Sequence, residues 1–167
     1  MSWRQPRVYL AGKISKTDWR FDLVSQLRGA EFGRPIDCGP FIYMGPYFIA
    51  CDHGCGHQPG GHGLHHNACT EPLGAPTRWS VPALCHRWIS QSDLLFAWID
   101  GPDCFNTLIE IGWAQQLGLR TYISFRNWWL ASEMWFATLG PHCRWSMDRS
   151  PEPAFHSACE WASVEAA

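Results

Sequence analysis

Residues 93–99 read Asp-Leu-Leu-Phe-Ala-Trp-Ile, a nearly continuous apolar run. A segment with no polar face belongs in a strand covered on both sides, the pattern of a central parallel strand. Residues 100–106 follow as a turn carrying Asp100 and Asp103. Residues 107–117 then have helical character, with Thr107 suited to the start and Gly118 to the stop.

The same alternation runs through the rest of the chain. Residues 7–11 are a compact β-type run closed by Gly12, and residues 19–27 carry helical apolar spacing at Trp19, Leu23, Val24 and Leu27. Residues 40–50 are aromatic and β-prone but cut by Gly45 and Pro46, so a strand plus loop is expected. Residues 81–91 read as a helix, 120–125 as a second buried strand, 128–139 as an aromatic helix stopped by Gly140 and Pro141, and 153–164 as a last weak helix. Strand–helix units in alternation predict an α/β fold: one domain over residues 1–167, a three-layer sandwich of Rossmann or flavodoxin type with a mostly parallel central sheet. Its ligand is expected outside the carboxyl ends of the strands, which are residues 12–18, the loop after residue 50, residues 100–106 and residues 125–128. Trp98, Trp113, Trp128, Trp129 and Trp135 are expected in the core by default.

Composition excludes several functions. The chain has 167 residues, 13 Lys and Arg against 15 Asp and Glu, and a formal net charge of −2. A protein that wraps a nucleic-acid polymer by neutralising phosphates is normally basic, so no such partner is expected. Aromatic residues at 14%, with 11 Trp, argue against disorder. No apolar stretch reaches the length of a membrane span, and residues 1–7 lack the apolar segment of a signal peptide. A cytoplasmic location is therefore expected, with the 8 Cys as thiols or metal ligands rather than disulfides.

Glu110 stands among Leu108, Ile109, Ile111 and Trp113. In or near the first helical turn it is favoured by the helix dipole, while burial raises its pKa. Read from residues alone, it is a functional carboxylate or merely a cap or the partner of an arginine. The loop after the first strand offers Gly12, Lys13, Ser15, Asp18, Trp19 and Arg20. Gly12 admits a ligand close to the backbone, and loop amides with basic groups can hold a phosphate or a ribose oxygen. Asp18 as an ordinary N-cap is the plainer alternative. Trp19 and Trp128 stand where a base could stack. No phosphate-binding P-loop or dinucleotide fingerprint is present, and no Ser/His/Asp set stands out.

The combination resembles the nucleoside 2-deoxyribosyltransferases and their relatives, the nucleoside 5′-phosphate N-glycoside hydrolases. The resemblance rests on Val8-Tyr9-Leu10-Ala11-Gly12, on the apolar run 93–99 with its acidic turn, and on Asn106-Thr107-Leu108-Ile109-Glu110-Ile111-Gly112-Trp113-Ala114. Asn106 stands where the family carries Gly, and Asp103 precedes Glu110 by seven positions where six is usual. The resemblance implies that Glu110 is the nucleophile, that Tyr9 lies near it, and that Asp103 holds sugar hydroxyls. With Gly12, Lys13, Asp18, Trp19 and Arg20, it makes Asp100, Asn106 and Thr107 candidate substrate contacts. The implied reaction breaks or exchanges the N-glycosidic bond of a nucleoside or nucleotide through a covalent glycosyl-enzyme. It requires no cofactor. NAD⁺ is a variant substrate, its nicotinamide–ribose link being N-glycosidic too. Asp100 or Asp103 is expected to protonate the leaving base, with Asp93, read as buried at its strand start, a weaker candidate.

Residues 51–76 form a Gly-, His- and Pro-rich loop insertion without periodicity. Cys51, His53, Cys55, His57 and Cys69 are candidate ligands of a structural Zn²⁺. The same segment can instead line the pocket, with Asp52, His53 and His57 the best-placed residues, or simply cover surface. An alternative function on this scaffold is a non-catalytic nucleotide sensor or a zinc-stabilised interaction module. Finally, Trp128, Trp129, Met134 and Trp135 within two turns exceed what one helix face buries, which predicts a homodimer or higher homo-oligomer, the alternative being that these tryptophans pack under the long loop within one subunit; the resemblance implies homo-oligomers as well.

Overall fold

The computed structural model describes residues 4–15, 17–28, 30–31, 33–47 and 80–164. These residues build an α/β fold on a six-stranded, mostly parallel sheet. Its strands are β1 (Arg7–Gly12), β2 (Ile36–Asp37), β3 (Ile42–Tyr43), β4 (Leu94–Ile99), β5 (Arg120–Phe125) and β6 (Cys143–Met147), in the order β2-β3-β1-β4-β5-β6. Only the β2–β3 pair is antiparallel. All six residues of β4 are buried, as expected of a strand with parallel neighbours and cover on both faces.

Side chains alternate across the sheet, so the register divides the core. Tyr9, Leu95 and Thr121 align on one face; Leu10, Phe96 and Tyr122 align on the other. The helix α3 (Phe105–Gln116) packs on the Tyr9 face beside α2 (Ser80–Ser90). The opposite face takes α5 (Pro151–Val164), through Phe155 against Phe96 and Trp161 against Tyr122. Trp19, just before α1 (Arg20–Leu23), meets Phe96 edge-on from that side.

The stop of α3 follows from its sequence. Gly118 adopts φ +70°, its N–H bonds to the Gln115 carbonyl, and the Leu119 N–H reaches back to Ala114. This is the double closure that favours glycine after a helix.

Several expectations are corrected. The helix expected over 19–27 is the single turn α1 followed by a 3₁₀ turn at Ser25–Leu27, because Val24 leaves helical geometry at φ −129°, ψ 77°. The expected helix 128–139 divides into α4 (Trp128–Glu133) and a 3₁₀ turn Trp135–Thr138 at Met134, whose φ is −110°. The strands β2 and β6 were not expected. Trp98 is buried and Trp113 half-buried, but Trp128, Trp129 and Trp135 are exposed rather than core. No helix among the described residues is long and apolar enough to cross a membrane. The described cysteines, Cys38, Cys85, Cys104, Cys143 and Cys159, are free thiols.

Candidate active site

The site is built from the carboxyl ends of β1 and β4 and the start of α3. Glu110 is the sixth residue of α3, two residues further in than expected, where the dipole of the helix N-terminus has largely faded. It is only 9% exposed. Its cover does not come from its neighbours in sequence, since Ile109 is exposed. It comes from other elements, among them Tyr9 on β1 and Cys85 on α2.

The Tyr9 hydroxyl donates to Glu110 Oε1 at 2.5 Å, inside the protein. That length belongs to an O–H donor on a carboxylate. Burial pushes the Glu110 carboxyl up to about 7, against the downward pull of the Tyr9 bond, the Arg20 charge and the Cys85 thiol. Burial, with Cys85 and Glu110 alongside, holds the Tyr9 hydroxyl well above its ordinary range, so Tyr9 stays a donor. Burial likewise pushes the Cys85 thiol up, assisted by the neighbouring Glu110. The result is a carboxylate that changes charge near neutrality beside a fixed proton donor, a combination common where catalysis occurs.

Outside this pair lies a charged rim. Lys13 forms an ion pair with Asp103, both half-exposed, and Asp100 adds a second negative charge near the same ammonium. The hydrogen bond from Lys13 holds the Asp103 carboxyl below its usual value. Asn106 is exposed on the first turn of α3, whereas Thr107 is buried. Gly12 ends β1 at a crowded point. A Cβ there would lie 3.0 Å from the Trp98 carbonyl oxygen and 3.2 Å from an Arg20 nitrogen, so only glycine fits.

Asp18 and Arg20 take another place than the expected one. Both are buried, bonded to each other at 2.9 and 3.0 Å. Trp19 is half-buried, with the Arg20 guanidinium 4.6 Å from its ring centroid. Asp93 is exposed rather than buried: it sits at the amino end of β4, accepts from the Arg7 backbone N–H and pairs with Arg4. That end of the sheet is opposite the site, which removes Asp93 as an acid for the leaving base. Cys85, buried on α2, was not among the residues expected in the site. Asp52, His53 and His57, and the possible Zn²⁺ ligands Cys51, His53, Cys55, His57 and Cys69, lie outside the described residues. Among the described residues no group of His, Cys, Asp and Glu is arranged to hold a metal ion.

No model of a known protein family matches the chain, and no curated protein matches it in sequence.

Proposed function

We propose that this protein breaks or transfers the N-glycosidic bond of a nucleoside or nucleotide, with Glu110 as the nucleophile. One observation carries the reading: a buried carboxylate poised near neutrality accepts a hydrogen bond from a tyrosine within a strand of the parallel sheet. The resemblance of residues 8–12 and 93–114 to the deoxyribosyltransferase family supports the same roles.

In this reaction a Glu110 oxygen attacks C1′ of the sugar. The C1′–N bond breaks, its electron pair stays on the base nitrogen, and that nitrogen takes up a proton from a water, because the bond from Lys13 keeps Asp103 ionised. Water or a second base then attacks C1′ and gives its proton to the hydroxide left by the first step, and the Glu110 carboxylate departs with the electron pair of the C1′–O bond. Tyr9 orients the carboxylate throughout. The Asp103–Lys13 pair at the rim is suited to sugar hydroxyls, and Asn106 and Asp100 stand beside it.

The direct test is a screen of nucleosides, nucleoside 5′-phosphates and NAD⁺ for free base, with acid-quenched intact mass to trap the glycosyl-enzyme. Base release from none of them ends the reading. A pH dependence follows from the site. The nucleophile must be ionised, so kcat/KM should fall on the acid side with a midpoint near pH 7. A flat profile from pH 5 to 8 would contradict Glu110 as the attacking group.

Assembly is part of the same proposal. Trp128, Trp129, Trp135, Phe136 and Leu139 are all more than half exposed, on one stretch of chain following β5. Apolar surface of this kind marks an interface, here with a second copy in two-fold symmetry. Light scattering at micromolar concentration should give at least twice the 19.0 kDa of one chain; a clean single-chain mass rules the assembly out.

A further inference from the structure

Among the described residues, the groups of the site that could give a proton are committed elsewhere. The Lys13 ammonium and the Asp103 carboxylate hold each other as an ion pair. The bond from Lys13 keeps Asp103 below its ordinary range, and the bond from Asp103 keeps Lys13 above its own, so neither passes a proton on. The Tyr9 hydroxyl directs its single proton at Glu110 Oε1, and Tyr9 is fully enclosed. Cys85 is buried as a neutral thiol. Glu110 attacks as an anion and has no proton to give.

The rim carries an excess of negative charge. Lys13 follows the last residue of β1 and Asp100 the last residue of β4, two strands in register at Gly12 and Trp98. The Asp103 carboxylate folds back over the same turn as Asp100: a Cβ on Gly101 would lie 3.1 Å from its Oδ1. Two carboxylates thus stand with one ammonium. Arg20, further along the loop that Lys13 opens, is neutralised by Asp18 at 2.9 Å. A rim of this kind draws a cation towards it.

A neutral base leaves slowly from such a site. Its ring nitrogen receives the electron pair of the C1′–N bond and needs a proton, and a positioned acid speeds that transfer by about 10²–10⁴-fold. A ring that is already positively charged needs none. We propose that the substrate is a cationic N-glycoside, one whose leaving ring is a pyridinium or an N-alkylated purinium, drawn in by the negative charge that Asp100 adds to the Lys13–Asp103 pair. The inference rests on the proposed role of Glu110. When a Glu110 oxygen attacks C1′, the electron pair of the breaking C1′–N bond cancels the charge of the ring, which departs neutral. Water then attacks C1′, Glu110 leaves with the electron pair of the C1′–O bond, and the proton of that water passes to solvent. Each turnover of a cationic substrate therefore releases one proton.

The test uses the full chain and two comparisons: guanosine against N7-methylguanosine, and nicotinamide riboside against the neutral nucleosides, each with and without a 5′-phosphate. The guanosine pair is measured below neutrality, where the methylated ring keeps its charge. Methylation puts the charge on the ring and removes the nitrogen that an enzyme acid would protonate, so an enzyme with such an acid gains little from it. Here kcat/KM should rise at least about 10²-fold on methylation, with one proton released per base in a pH-stat. Asp100→Asn should shift the ratio about threefold or more towards the neutral member, the effect of one exposed charge. Guanosine cleaved within about tenfold of its methylated form, or a ratio that Asp100→Asn leaves unchanged, overturns the inference. Release of neutral bases alone also overturns it while leaving the Glu110 reaction standing, whereas release from none of the compounds refutes that reaction itself.

Discussion

Glu110→Gln should reduce base release by at least about 10²-fold, the loss expected when a catalytic group is removed, and should at the same time stabilise the fold. The sign follows from linkage. An ordinary glutamate ionises near 4.5, whereas Glu110 does so at about 7 in the folded protein. Below 4.5 both states hold the proton. Between 4.5 and 7 the unfolded chain releases it while the folded protein retains it, so rising pH favours unfolding. Above 7 the penalty is complete, about 3 kcal/mol for a shift of this size. Glutamine carries no such penalty and still accepts from Tyr9. Urea unfolding at pH 8 should therefore show the variant more stable by up to about 3 kcal/mol, with the gap closing towards pH 4.5. A variant that loses activity and is also less stable at pH 8 would mean that Glu110 is a structural ion, not a strained functional one.

Phe96→Ala should cost about 3–5 kcal/mol, the range for a fully buried phenylalanine. Phe96 lies on β4, the most enclosed strand, and touches three elements: Phe155 of α5 at 5.3 Å between ring centroids, Trp19 at 5.9 Å and Tyr122 of β5 at 6.2 Å. The loss should appear as a lower urea midpoint with an unchanged slope. Phe96→Leu should recover most of it, because it keeps most of the apolar volume. A cost for Phe96→Ala below about 1 kcal/mol would show that the face opposite Glu110 is not packed in this way.

The central strands and α3 were legible in the sequence because their patterns are dictated by burial. β4 is apolar throughout, β5 is buried from Thr121 to Phe125, and α3 ends at a glycine that its closure requires. β6 was not legible: it is an edge strand with Arg144, Trp145 and Met147 exposed, so burial imposes no pattern on it. The two-residue β2 and β3 are too short for any periodicity. Of the five tryptophans expected in the core, Trp128, Trp129 and Trp135 are exposed, since size and apolarity do not reveal whether a second surface is available. In the site, Glu110 and Tyr9 could be singled out by resemblance, but the residues that set their chemistry could not. Cys85 approaches from another helix, and Arg20 and Asp18 satisfy each other and a strand edge, a pairing visible only once β3 is seen to end early. Asp93 was misread because its position next to an apolar run hid that it sits at the exposed amino end.

The Tyr9–Glu110 bond joins residues 101 apart in the chain, and the Lys13–Asp103 pair spans 90. The unit β4–α3–β5, by contrast, is contiguous. During folding that unit can form from local contacts, whereas β1 docks beside it only from a distant part of the chain, a slow step that costs chain-closure entropy. Because β1 brings Tyr9 and Gly12, a chain with only its β4–α3–β5 unit in place still lacks the Tyr9–Glu110 pair. If the proposed reaction holds, recovery of base release after denaturant dilution should accordingly lag behind the return of helical signal, and turnover would time the arrival of the N-terminal strand.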